Sequence, residues 1–347
     1  MPLTSATRYL LAVLVLALSP SPPAVAKETL RVLAWPGYAD PDLVKVFEDR
    51  YGAKVEVTFV GSDEVLWENV NARQGADFDV FAVNTAELTR YIDHGLSIAL
   101  EVSNIPNTRN QLPRFSDLQS IPGITRQGRV YAIPYTYSAM GLIYDRKQVK
   151  EPPTSMAAMW DPRYKGRVLA YDGSSQNFSM VALLLGIRTP FQLKNRDFRR
   201  IADRLIALRG NVLTFYSLPE ESIALFRENA VALMFANYGT QQVDQLRKAG
   251  ADIGYVIPKE GALAWLDCWS LTRGVRNKRL AENWINYTLE KPVSTALTKR
   301  QGLANTIESS TPADKSDKII WLEPVEDFKL RTALWTRILS GDRPGKF

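Results

Sequence analysis

Short apolar runs of β-branched and aromatic residues, separated by stretches with helix start and stop signals, constrain this chain more than any other feature. The runs lie at 30–35, 55–60, 78–83, 141–144, 168–171, 212–215, 231–235 and 253–257. Each is nearly continuous in apolar residues, the pattern of strands buried on both faces. Asp40-Pro41 opens a helix that closes at Gly52, and Ser62 opens one that closes at Gly75. Thr85-Ala86-Glu87 opens a third, ending at His94-Gly95. Further helices are expected over 198–209, 239–248 and 277–289, and Glu220 and Glu221 sit where another would begin. In the 277–289 segment, Leu280, Trp284 and Tyr287 recur at helical spacing. Such alternation over 347 residues predicts an α/β chain with two sheets. The stretch 103–127, rich in Asn, Pro and Arg, carries the weakest structural signal.

The chain has one cysteine, Cys268, and one histidine, His94. That excludes an intrachain disulfide and any zinc site built from Cys and His. Serine–histidine or cysteine–histidine catalysis would have to pass through His94. Its position before a helix-ending glycine favours a simpler role against the helix dipole. With 46% hydrophobic residues the chain has enough apolar material for a sizeable core without crosslinks. Its 43 basic and 37 acidic residues are interspersed, so nucleic acid is not an expected partner. The first 26 residues read separately. Arg8, an apolar core over 9–18 and Ala24-Val25-Ala26 form a secretory signal peptide, with cleavage expected after Ala26. Its apolar run is about half the roughly 20 residues a spanning helix needs. A periplasmic location is therefore expected.

Aromatic residues gather at strand ends. Trp35 and Tyr38 flank the turn residues Pro36-Gly37. Tyr131, Tyr135, Tyr137 and Tyr144 surround a strand pair near Pro134. In Trp265-Leu266-Asp267-Cys268-Trp269, strand alternation places the acid on the same face as both indoles. A carboxylate so placed needs a positive partner. Either an internal Arg or Lys supplies it, or a ligand cation does, held also by the aromatic faces. Ligands of open α/β sheets bind at strand ends.

Over most of its length the chain resembles the periplasmic spermidine/putrescine-binding proteins, receptors of polyamine ABC importers. The local marks are Leu33-Ala34-Trp35-Pro36-Gly37-Tyr38, Phe78-Asp79-Val80 and Tyr131-Ala132-Ile133-Pro134-Tyr135. They continue with Trp160-Asp161-Pro162-Arg163-Tyr164-Lys165-Gly166, with Pro258-Lys259-Glu260-Gly261 ahead of Trp265-Leu266-Asp267, and with Ala281-Glu282-Asn283-Trp284-Ile285-Asn286. The resemblance implies a two-lobe periplasmic-binding-protein fold of type II character, with a ligand cleft between the lobes. It implies one lobe from 27–135 plus about 268–306, and a second from 136–267 plus about 307–347. It also implies that Trp35, Tyr38 and Trp265 line a polyamine slot and that Asp267 pairs with an amine.

Other slot positions depart from the family. Gly37, Gly173 and Gln176 stand where relatives carry acids; Ala236, Ala86 and Leu303 replace aromatics, and Asn84 replaces a serine. Asp267 is the one matched carboxylate left, and each desolvated ammonium needs a counter-charge or strong acceptors. Asp63, Glu64 and Asp172 are nearby substitutes, Tyr137, Tyr171 and Tyr238 can rebuild an aromatic wall, and Gln176 can accept from an amine. The expected binding set is thus Trp35, Tyr38, Asn84, Tyr137, Gln176, Trp265 and Asp267. The expected function is delivery of a polyamine or diamine to an inner-membrane ABC permease. The alternatives are docking on a membrane sensor, and a mono-cationic or zwitterionic ligand such as an ω-amino acid. No enzyme activity, catalytic residue, cofactor or metal is expected, and the protein is expected to be a monomer.

Overall fold

The structure is a computed structural model that describes residues 27–308, 318–343 and 345; the expected signal peptide lies outside the described residues. The first three apolar runs form parallel strands. Thr29–Ala34 is central, with Lys54–Phe59 on one side and Val80–Asn84 on the other. Val80–Asn84 pairs antiparallel with the long strand Ala262–Thr272, which pairs antiparallel with Ala132–Ala139. Ala304–Asn305 closes that edge, and Ser97–Ile98 and Ile319–Trp321 pair with the two ends of the long strand. Lys54–Phe59 departs from the expectation of two buried faces. It is an edge strand, so Lys54 and Glu56 reach solvent and Phe59 is half exposed.

The later runs form a second sheet in the order Thr214–Tyr216, Val168–Tyr171, Leu233–Phe235, Leu142–Asp145, Ile253–Val256. Its first three strands are parallel, and Leu142–Asp145 runs against its neighbours. Each sheet has its own apolar core, and Trp265 packs against both. Strand pairing keeps residues 136–139 and 262–267 in the larger sheet, with Ala264 opposite Ala139. The chain therefore passes between the sheets a few residues after the expected 135, beyond Ala139, and a few residues before the expected 268, ahead of Ala262. At the junction Gly239 adopts φ +51°, and a Cβ there would overlap Ser138 Oγ and the Ala139 carbonyl.

The expected helices form as Pro41–Tyr51, Asp63–Ala72, Thr85–Asp93, Asn195–Arg209, Pro219–Glu228, Thr240–Lys248 and Lys278–Thr288. Their caps are those the residue types favour. Ser62 Oγ accepts from Val65 N–H at 3.2 Å, and Asn277 Oδ1 accepts from Leu280 N–H at 2.9 Å. Glu221 accepts from the Ser217 and Leu218 N–H groups, so it serves its own helix start. His94 caps its helix end through Nδ1 and the Arg90 carbonyl, 2.8 Å apart. Helices Ser174–Leu184, Lys291–Gln301 and Phe328–Leu339 also form. The first is buried on most sides, so no amphipathic stripe marks it in sequence. Among the described residues, no helix is long and apolar enough to cross a membrane.

One buried ion pair fixes the two strands that lead to the site. Asp79 precedes Val80–Asn84 and is 1% exposed. It accepts from Arg31 N–H at 2.8 Å, Arg31 Nε at 3.0 Å and Arg31 Nη2 at 2.7 Å, and from Arg276 N–H at 2.9 Å. Removing one member of such a pair strands a buried charge. Asp79→Ala is expected to lower unfolding free energy in urea by about 3–5 kcal/mol. Asp49→Ala, in an exposed pair with Lys45, should change it by under about 1 kcal/mol.

Candidate ligand site

The parallel strands of the larger sheet all deliver their carboxyl ends to one edge. Thr29–Ala34 ends in a tight turn in which Tyr38 N–H donates to the Trp35 carbonyl at 3.2 Å. Pro36 presets the first central position, and Gly37, at φ +88°, takes the left-handed second one. The turn swings Tyr38 inward against Tyr135 and Trp269, with ring centroids 5.4 and 6.2 Å away. Tyr38 hydroxyl then donates to Asp267 Oδ2 at 2.6 Å. Trp269 lies in the core, fully buried.

Asp267 enters the same edge from the antiparallel strand, directly opposite Asn84 and Thr136. Opposite residues in a ladder share a face and sit about 5 Å apart at Cα. Asn84 is fully engaged. Its Oδ1 accepts from Glu87 N–H at 3.0 Å and its Nδ2 donates to Asp63 Oδ1 at 3.1 Å. The residue thus places Asp63 beside Asp267. Between Asp267 and Cys268 the register slips by one residue, leaving Tyr135 as the extra residue of the opposing strand and free to pack on Tyr38. Cys268 is fully buried behind the acid.

The smaller sheet offers its own carboxyl ends across the junction. Trp265, half-buried, donates its indole N–H to the Asn237 carbonyl at 3.1 Å. Asn237 follows Leu233–Phe235 and is 6% exposed, and its amide oxygen is buried without a partner. Tyr171 and Tyr238 meet edge to face at 6.0 Å. Burial pushes the Tyr171 hydroxyl up to about 12, with Asp63, Glu64 and Asp172 adding to it. The Trp265–Asn237 hydrogen bond joins the two sheets here.

Five of the seven expected residues lie along this edge. Trp35, Tyr38, Asn84 and Asp267 converge on the larger sheet, and Trp265 bridges to the smaller one. Trp35 is half-buried with its indole nitrogen buried and unpartnered. Gln176 sits in the first turn of Ser174–Leu184, beside Gly173 and the Tyr171 ring. Tyr137 goes elsewhere. It pairs with Leu266, on the opposite face from Asp267, and packs on Phe115 and Trp321 at 4.9 and 5.9 Å. Of the substitute acids, Asp172 accepts from Trp335 Nε1 at 2.7 Å and anchors the last helix. Glu64 is exposed and Asp63 is half-buried.

No Lys or Arg pairs with Asp267 or Asp63 among the described residues. Burial pushes the Asp267 carboxyl up to about 7, with the Tyr38 hydrogen bond acting the other way. Asp63 is raised well above the usual carboxylate range by burial and by Glu87, Asp267 and Glu64. Chemically, the edge is a desolvated anionic seat beside aromatic faces, suited to an organic cation. Among the described residues, no group of three or more His, Cys, Asp or Glu is arranged to hold a metal ion.

Two sheets facing through their strand ends, with a site at the junction, define a two-lobe periplasmic binding protein. A family model for bacterial extracellular solute-binding proteins matches residues 42–320, and the chain belongs to that family. It is 27% identical over 350 residues to a putrescine-binding periplasmic protein of Escherichia coli K12, covering 92% of this chain and 93% of that one. A spermidine/putrescine-binding periplasmic protein of the same organism is 27% identical over 324 residues, covering 92% and 88%. The fold matches a putative spermidine/putrescine ABC transporter structure from Listeria monocytogenes with a TM-score of 0.77, at 21% identity over 90% of this chain and 99% of that one.

The raised Asp267 fixes two opposite pH dependences. Its folded value, about 7, exceeds the ordinary 3.8, so the folded state holds the proton more tightly than the unfolded one. This group's contribution to stability is therefore greatest at acid pH. It is lost as the pH rises through about 7, by on the order of 4 kcal/mol across the window. Affinity for an organic cation should run the other way, falling below about pH 7 as the carboxyl is protonated. Asp267→Asn should shrink both trends relative to wild type in thermal melts and calorimetric titrations at about pH 5 and 8, leaving the share of Asp63, which is raised in the same direction. The wild-type comparison separates Asp267 from carboxyls such as Asp42, which Arg300 holds low.

Proposed function

We propose that this protein is a periplasmic receptor that takes up a polyamine or diamine in the cleft and presents it to an inner-membrane ABC permease. The observation that carries this reading is Asp267, 8% exposed, with Tyr38 as its hydrogen-bond partner and no cation paired to it. A buried charge left so is costly unless something positive joins it. The names of the two Escherichia coli relatives support the ligand class. Asp63, Glu64 and Glu87 weigh against the zwitterionic alternative, since a ligand carboxylate would enter a field already negative. Export would follow cleavage after Ala26, and the receptor would act as a monomer without cofactor or catalytic residue. Docking on a membrane sensor instead of a permease leaves the binding chemistry unchanged.

We assign the larger sheet and its helices, 27–139 with 262–308, to one lobe and 142–256 to the other. The segment after 317 serves both. Ile319–Trp321 joins the larger sheet, while Arg331 of Phe328–Leu339 bonds Ser179 Oγ at 2.8 Å and the Pro190 carbonyl at 2.9 Å on the smaller lobe. Trp265, packed on both cores, would seat the aliphatic part of the ligand as the lobes close.

Mass spectrometry of protein purified from its host should find an organic amine bound. Protein stripped of ligand by unfolding and refolding should bind putrescine or spermidine in calorimetry; a panel of amines with no heat of binding sinks the reading. Trp265→Ala should weaken that binding by about tenfold or more, the scale of a desolvated cation–π and stacking contact. The ligand-free variant should still melt cooperatively. Unfolding without ligand would instead make Trp265 a core residue.

A further inference from the structure

The acids of the seat are distributed unevenly. Both belong to the larger lobe, and the equivalent space on either side of them is closed. At Gly37 a Cβ would overlap the Gln301 amide, and φ +88° disfavours any other residue. At Gly173 a Cβ would meet the Tyr171 ring and Gln176 Oε1. An acidic side chain fits at neither position without displacing these groups. What the smaller lobe presents is neutral: Tyr171, Gln176, the unpartnered amide oxygen of Asn237 and Tyr238, whose hydroxyl donates to the Ser217 carbonyl at 2.6 Å.

Asp63 lies in the first turn of its helix, where a carboxylate complements the helix dipole, but it does not cap that helix. Ser62, not Asp63, caps Asp63–Ala72, through Oγ and Val65 N–H. Its hydrogen-bond partner is Asn84 Nδ2, on the residue opposite Asp267 in the ladder. Asp267 itself is more than nine-tenths buried, with one oxygen on Tyr38 and the other without a partner among the described residues. Two carboxylates therefore flank one asparagine, Asp63 through a hydrogen bond and Asp267 as its ladder partner, and no Lys or Arg pairs with either among the described residues.

We propose that Asp63 is a specificity-determining residue: with Asp267 it forms a two-carboxylate seat on the larger lobe that selects a short diamine over a monoamine or an ω-amino acid. Each carboxylate takes one ammonium, and the short alkyl chain between them lies along the aromatic faces of Trp35 and Trp265. A longer polyamine has further ammonium groups that must extend toward the smaller lobe, where Tyr171, Gln176, Asn237 and Tyr238 are neutral and Asp172 is engaged by the Trp335 indole. This assignment rests on the amine-receptor reading and names its ligand more narrowly.

The test is calorimetry on refolded, ligand-stripped protein with putrescine, n-butylamine, 4-aminobutanoate and spermidine. Wild type should bind putrescine more tightly than any of the other three. Asp63→Asn, which keeps the shape and the Asn84 contact, should weaken putrescine by about 30-fold or more and n-butylamine by no more than about 3-fold. Asp267→Asn should weaken both amines. Asp63→Ser replaces Asp63→Asn as the variant if the latter fails to melt cooperatively. Equal losses for diamine and monoamine, or an unchanged putrescine affinity, overturn the role of Asp63. So does a wild type that binds putrescine no better than n-butylamine, or spermidine better than putrescine, and either result leaves the amine-receptor reading standing. A wild type that binds none of the amines overturns that reading and the Asp63 assignment with it.

Discussion

A carboxylate removed from water without a cation is the constraint around which this molecule is arranged. Asp267 sits on the longest strand of the larger sheet, at the edge where three parallel strands end. Keeping it there requires that those ends be held in place. The Arg31–Asp79 pair does so for Thr29–Ala34 and Val80–Asn84, joining the start of one to the lead-in of the other. The Pro36-Gly37 turn then brings Tyr38 over the acid, and the register slip beside Cys268 releases Tyr135 to back it.

The same constraint organises the second lobe. Its contribution is the closure of the site, and little of its charge is involved. Trp265 is the mechanical link, since its indole bonds Asn237 while its ring packs on both cores. Gly239 lets the two sheets approach closely at Ser138. In the proposed receptor, a cation seated on the larger lobe would relieve the repulsion between Asp63 and Asp267. The aromatic and amide groups of the smaller lobe would then cover it. A ligand shifts such an equilibrium only through contacts that differ between the open and closed arrangements, and here those contacts come from Tyr171, Asn237 and Tyr238.

Much of this was legible in sequence. Apolar runs and helix caps placed eight strands and most helices, because burial on both faces and capping chemistry leave strong local signals. A Pro-Gly turn and an acid between indoles marked Tyr38 and Asp267 separately, and the family resemblance put both in one slot; their hydrogen bond is visible only in the structure. What escaped depends on register. Tyr137 differs from Asp267 by one step of the pleat, through Leu266, and one step is enough to send it to the other face. Asn84 also makes two contacts that the sequence does not show, a helix cap through Oδ1 and a hydrogen bond from Nδ2 to Asp63. The helix Ser174–Leu184 gave no stripe because it is buried nearly all round.

The glycines at 37 and 173 illustrate how a slot can change without changing its fold. Loss of an acid at either place looks in sequence like loss of charge alone. In the structure a Cβ would overlap Gln301 in one case and Tyr171 with Gln176 in the other. A side chain longer than glycine at either place would have to displace neutral groups before it could offer a charge. Asp63 gains its place by the opposite route, through an asparagine in register with Asp267. In the proposed seat both acids lie on the larger lobe, beside the aromatic residues Trp35, Tyr38 and Trp265.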